Sequence, residues 1–196
     1  MLEVIQRLSK NNELENILKE NNISMQEVYY DINESEKGIL TSVVTKYEVK
    51  RFIKEYLNEL FSLMNVQADI SYDYINEALV VYIEADNNAL IIGHDGQTMK
   101  ALEHMVRQTL RKYGHFNIKL NIDVAGYKER KEDNLRKEIK KIASEVLNSK
   151  VSVKLDPMNS YERRIVHSII SDYGKLVSHS DGEEPERFVR IMYKED

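Results

Sequence analysis

The stretch NNALIIGHDGQTMKALEHMV, residues 87–106, constrains the fold more than any other part of the chain. Gly93 and Gly96 enclose only His94 and Asp95, with an apolar run before them and a helical pattern after. A glycine inside a helix costs roughly 0.5–1 kcal/mol relative to alanine, so the pair marks a forced turn between two helices rather than the interior of one. The neighbouring segments fix what surrounds that turn. Val49, Phe52, Ile53, Tyr56, Leu57, Leu60, Phe61 and Met64 keep the 3-4 spacing of an amphipathic helix. VQADISYD alternates as a strand, and ALVVYIEA is the denser apolar run of a more buried one. After the loop, Met99, Leu102, Met105, Val106, Leu110 and Tyr113 stripe a helix that Gly114 closes, and FNIKLNIDV alternates as a third strand. Residues 48–126 thus read as helix, strand, strand, short helix, glycine loop, helix, strand.

On either side lie two smaller units. Residues 1–47 read as a small α/β module: Leu14, Ile17 and Leu18 share one helical face, and EVYYDI and GILTSVVTKY form two strands around the turn NESEKG. A unit of that size is marginal alone, so it is expected to pack on a neighbour or on a second copy of the chain, and a homodimer follows from the second option. Residues 127–196 open with the charged YKERKED and a long helix whose core face is Leu135, Ile139, Ile142, Ala143, Val146 and Leu147. VSVKL reads as a short strand. Asp156-Pro157 is expected to start the next helix, with proline at its first position and Tyr161, Ile165 and Ile169 as its core stripe. Two strands around Asp181-Gly182 complete this mixed α/β unit, and the whole chain is of the α+β class.

Composition narrows the chemistry. No cysteine occurs, which removes thiolate metal sites, disulfides and thiol nucleophiles, and the first residues do not read as a secretory leader, so the cytoplasm is the expected compartment. No apolar run reaches the roughly 20 residues of a membrane span. Five histidines include no His-x-x-x-His pair, and no acidic cluster has metal-site spacing, so no catalytic residue, metal or cofactor is expected. Net charge is −5, unfavourable for a polyanion partner, but residues 128–164 carry 11 basic against 7 acidic residues. An electrostatic footprint for nucleic acid belongs there.

Two motifs carry the functional expectation. IIGHDGQT resembles the I-G-x-x-G signature of the KH domain, in its type II topology. That resemblance implies that Ile92, Gly93, His94, Asp95, Gly96 and Gln97, with Lys100 one turn on, clamp single-stranded RNA. The physical logic is that residues without Cβ let a sugar–phosphate backbone come close, while the helix N-terminus at Gln97 and Thr98 aims amides at phosphate. Asp95 departs from the lysine or arginine common in such loops and repels phosphate; Arg107 and Arg111 read as an ordinary solvated face. In NSYERRIVHSIISD, Arg163 and His167 stand four apart on one helical side, bordering the core stripe. With Ser180-Asp181-Gly182 and Arg187, this segment resembles the R-three-H domain, which implies single-stranded nucleic-acid binding through Arg163, His167 and Arg187.

The order of units resembles the Jag family, also called SpoIIIJ-associated proteins. In the first module the turn at Lys37-Gly38 matches, while the following glycine and the long linker of other members are missing. The resemblance implies a post-transcriptional regulator connected with cell elongation, division or sporulation, and a small separate KH protein as partner. The competing reading is a protein-interaction scaffold with weak or lost RNA affinity, motivated by Asp95, the net charge and the long apolar helices.

Overall fold

A computed structural model describes residues 1–194. The chain divides into two compact units, Met1–Tyr127 and Lys128–Asp196.

The first unit begins with a strand the sequence pattern did not reveal, β1 (Ile5–Ser9), followed by helix α1 (Leu14–Glu20) and the hairpin β2 (Val28–Ser35) and β3 (Gly38–Thr45). β3 is central, antiparallel to both neighbours, in the order β1-β3-β2. Its residues Thr41, Ser42, Val43 and Val44 are all buried because both faces are covered. Val43 meets Leu14 and Ile17 of α1, whereas Val44 and Leu2 join the core of the following domain. The N-terminal module therefore packs on its neighbour within one chain.

Thr45 caps helix α2 (Lys46–Leu63) by accepting from the Glu48 amide. Strands β4 (Ala68–Ile75), β5 (Ala78–Ala85) and β6 (Leu120–Val124) form a sheet in that order, β4-β5 antiparallel and β5-β6 parallel. Helices α3 (Asn88–Ile92) and α4 (Gln97–Arg111) lie between β5 and β6 in sequence, separated by a 3-10 turn at His94–Gly96. β5 has Leu79, Val80, Val81 and Ile83 buried, as befits a central strand, and the α2 stripe closes over it. Met105, expected in the α4 stripe, is exposed; Val106 and Leu110 take the inward positions.

The second unit contains α5 (Tyr127–Ser149) from its second residue on, then β7 (Val153–Lys154), α6 (Ser160–Ser171), β8 (Leu176–Asp181) and β9 (Phe188–Tyr193). The strands form an antiparallel sheet in the order β7-β9-β8. Ile139, Ala143 and Val146 of α5 and Ile165, Val166, Ile169 and Ile170 of α6 pack with Val189 and Ile191. Two expectations are corrected here. Pro157 does not open α6: the Leu155 and Met158 amides donate to Val189 and Arg187 carbonyls, holding this stretch extended beside β9. Asn159 starts the helix instead, through a capping box with Glu162. Tyr161 is therefore a first-turn residue, 51% exposed rather than in the core, with its hydroxyl donating to Glu132 at 2.6 Å. Among the described residues, no helix is long and apolar enough to cross a membrane.

Candidate nucleic-acid interface

The glycine loop is built by its backbone. Gly93 has φ 68° and ψ −175°, a region that essentially only glycine occupies, and Gly96 has φ 77°. Between them Asp95 also takes a left-handed conformation, φ 51°. This sequence of dihedrals ends α3 and starts α4 within four residues, throwing His94 and Asp95 outward; their side chains are 86% and 66% exposed. His94 Nδ1 lies 3.3 Å from Asp95 Oδ2. Gly96 offers α4 no capping side chain, and the Gln97 amide donates to the His94 carbonyl. Gln97 and Lys100 are exposed on that first turn.

The reason for the glycines differs from the one the sequence suggests. A Cβ on Gly93 would sit 2.0 Å from Thr98 Oγ1, and a Cβ on Gly96 would sit 2.8 Å from the Tyr127 ring. Internal packing, not open space for an incoming chain, occupies both positions. What the loop presents outward is its middle, His94 and Asp95. Ile91 is buried in the core and Ile92 is half-buried, leaving Leu90 and the edge of Ile92 as the apolar surface beside the loop. Arg107 keeps 41% of its side chain exposed but is engaged as well. Its guanidinium pairs with Glu103 at 2.9 Å and donates to the Leu120 carbonyl, while Glu103 accepts from the Ile122 amide, lacing α4 to β6.

In the second unit, Arg163 and His167 do leave α6 on one side, but that side is turned inward. Arg163 is 7% exposed. Its Nη1 donates to the Met158 carbonyl at 2.7 Å and its Nη2 pairs with Glu184 at 2.8 Å, so one guanidinium ties α6 to the segments on both sides of it. His167 places Nδ1 and Nε2 each 2.7 Å from a serine hydroxyl, Ser178 and Ser180 of β8. Burial, then the nearby His179 and Arg163, pushes its pKa below the ordinary 6.5. A neutral ring that donates through one nitrogen and accepts through the other satisfies both contacts. Arg163 and His167, which the resemblance assigns to nucleic-acid binding, are both engaged in contacts inside the unit. Arg187 differs, being half-buried with an Nε that has no hydrogen-bond partner. The serines were legible in principle, since Ser178 and Ser180 are two apart on a strand and share a face. Among the described residues, no group of three or more histidine, aspartate or glutamate side chains could hold a metal.

Comparison with known proteins matches these two regions separately. Residues 50–122 match the KH domain of KhpA/KhpB, and residues 133–193 match the R-three-H domain. The RNA-binding protein KhpB of Clostridium symbiosum is 37% identical over 144 residues, 72% of this chain and 65% of that protein. The chain belongs to the KhpB family. The KhpB of Streptococcus pneumoniae strain D39 is 31% identical over 76% of this chain and 46% of its own length. That of Bacillus subtilis strain 168 is 28% identical over 81% and 77%. The matched stretch thus spans from under half to about three-quarters of these relatives. Both family matches begin after the N-terminal module, whose likeness rests on the Lys37-Gly38 turn; there Gly38, with φ 126°, approaches the Ser9 carbonyl.

Proposed function

We propose that the chain is a single-stranded RNA-binding protein, not an enzyme, that takes RNA along the 93–96 loop and on the R-three-H unit. The observation that carries this reading is the loop itself. A glycine-only backbone projects two side chains at the mouth of the 15-residue helix α4, whose first amides lack a capping side chain. The relatives' printed name, RNA-binding protein, supports it. Lys100 and Gln97 would flank the bound phosphate, and Arg187, half-buried in the R-three-H unit, would add a cation there. Arg163 and His167 then act by holding β8 and the 184–187 segment in place. The finer role proposed from the family resemblance is post-transcriptional regulation connected with elongation, division or sporulation, in the cytoplasm, alongside a small KH partner protein or as a homodimer.

The test is binding of a 12-nucleotide single-stranded RNA, read by fluorescence anisotropy across a salt series. A phosphate-binding surface gives log affinity falling linearly with log salt. His94→Asp makes the loop's outward pair doubly acidic without touching either glycine, and should weaken binding about fivefold or more. No measurable affinity at low salt would overturn the proposal. The second reading, a protein scaffold, is favoured by one observation, the acidic Asp95 at the loop's apex, and it predicts that outcome together with intact partner capture.

A further inference from the structure

The R-three-H sheet has two faces, and the α-helices use only one. Along β9, Val189 and Ile191 point into the core, so Phe188, Arg190 and Met192 point the other way. Strand pairing places Lys154 of β7 and His179 of β8 directly opposite Arg190, one on each side. Asp181 is opposite Phe188, and Val177 opposite Met192. The outward face thus carries a basic row of Lys154, Arg190 and His179 between an aromatic ring and an apolar pair. Phe188, Val177 and Met192 belong to no core cluster, and Lys154 and His179 are exposed.

Such an arrangement is unfavourable for the free protein. Like charges directly opposite one another on a sheet destabilise it, and the one acid among them, Asp181, reaches Arg190 at 3.4 Å. The Lys154 ammonium rests over the Phe188 ring at 4.2 Å and the Arg190 guanidinium lies 5.9 Å from it, contacts that occupy the ring without burying it. An aromatic face flanked by cations is the chemistry that recognises an unpaired nucleotide, with the base on the ring and the phosphate on the cations.

We propose that this face, centred on Phe188, Lys154 and Arg190, is a base-stacking platform for single-stranded RNA. The proposal rests on the RNA-binding reading above and adds a site distinct from the glycine loop and from Arg163 and His167. On binding, the base displaces Lys154 from the ring, and the freed ammonium turns to the adjoining phosphate. His179 extends the row by one strand as a further ring donor. Because stacking does not read base edges, the platform contributes affinity with little sequence preference.

The experiment uses the full chain and a 12-nucleotide single-stranded RNA carrying one 2-aminopurine, whose fluorescence is quenched on stacking. Phe188→Ala should weaken binding about tenfold and abolish the protein-induced quenching, and Phe188→Tyr should restore both. Lys154→Gln with Arg190→Gln should make the slope of log affinity against log salt shallower by about 1.4, near 0.7 for each of the two phosphates that are no longer neutralised. Unchanged melting curves show that the half-buried ring was not needed for folding; were Phe188→Ala to unfold the unit, the double glutamine variant decides alone. If the parent binds and His94→Asp weakens it while the platform variants change neither affinity, slope nor quenching, the platform is overturned and the loop stands. If the platform variants abolish binding and His94→Asp does nothing, the platform stands without the loop. A parent that binds no RNA overturns both.

Discussion

The glycine loop of the KH region and the Arg-x-x-x-His helix of the R-three-H region are both short signatures, and they hold their residues in opposite ways. In the loop the signature glycines are covered, by Thr98 and by the Tyr127 ring, and the two variable residues between them stand in solvent. In the helix the signature side chains are themselves the covered ones, Arg163 between Met158 and Glu184 and His167 between two serines. The first signature therefore fixes a backbone path, and the second fixes side-chain braces. In the first region the consequence is an exposed turn beside a helix N-terminus. In the second it is a braced sheet, with the proposed platform on its far face.

The comparison breaks most sharply at Gly93. Alanine there meets Thr98 Oγ1 and must also adopt a glycine-only backbone conformation, which alone costs about 1–3 kcal/mol. With the steric overlap added, Gly93→Ala should destabilise the first unit by about 3 kcal/mol or more, measured by urea denaturation. Adding Thr98→Ala should recover the steric part and leave the backbone part. If Gly93→Ala is as stable as the parent, the glycine is held for access and not for packing.

Arg163→Met tests the opposite arrangement. The change keeps the aliphatic stem but removes two charge-assisted hydrogen bonds, worth more than neutral ones, and strands the Met158 carbonyl. Because Glu184 is largely exposed, the destabilisation should be about 2 kcal/mol rather than the larger cost of orphaning a fully buried charge. RNA affinity per folded molecule should fall little. A large drop in affinity at unchanged stability would make Arg163 a ligand contact and erase the contrast between the two regions.

The pH dependence of the second unit sharpens the same point. The folded-state pKa of His167 lies below its ordinary 6.5, so the unfolded chain takes up the proton first as pH falls. The stabilisation from neutral His167 is complete above about 6.5 and is lost as pH drops from there toward the lowered folded value. His167→Gln should flatten that part of the stability curve, read from NMR signals of β8 and α6 during denaturation. The neutral-pH effect of the substitution should be about 1 kcal/mol, since an amide can keep one of the two serine contacts. A curve that stays steep without the imidazole would assign the transition to another group.

Element order was largely legible because the apolar spacings of α2 and α4 and the alternation of β4 are strong periodic signals. What was hidden shares a cause: partners distant in sequence. β1 is five residues long and half-polar, and becomes a strand only because β3 offers it an edge. Pro157 invites a helix by local rule, but β9 holds its neighbours extended. Arg163 reads as a surface residue by type; only the fold brings Met158 and Glu184 to its guanidinium. The loop's position could be read from its glycines, whereas Tyr127, which seals Gly96, is 31 residues away and carries no signature of its own.

The smallest expected effect concerns an exposed loop residue that opposes the proposed function. Asp95 stands at the apex of the loop, within reach of any phosphate that approaches the α4 amides. Across a solvent-exposed gap of a few ångströms, one unit charge on another is worth about 1 kcal/mol in water, and salt reduces it further. Asp95→Asn should therefore tighten RNA binding about threefold at low salt and hardly at all at high salt. The substitution also suits the geometry, because asparagine tolerates the left-handed backbone that Asp95 adopts. Folding stability should not change, which separates this outcome from those at Gly93 and Arg163. An affinity unaltered at every salt concentration would mean that the phosphate path does not pass the loop, and the first region would then resemble the second, a braced structure with its ligand surface elsewhere.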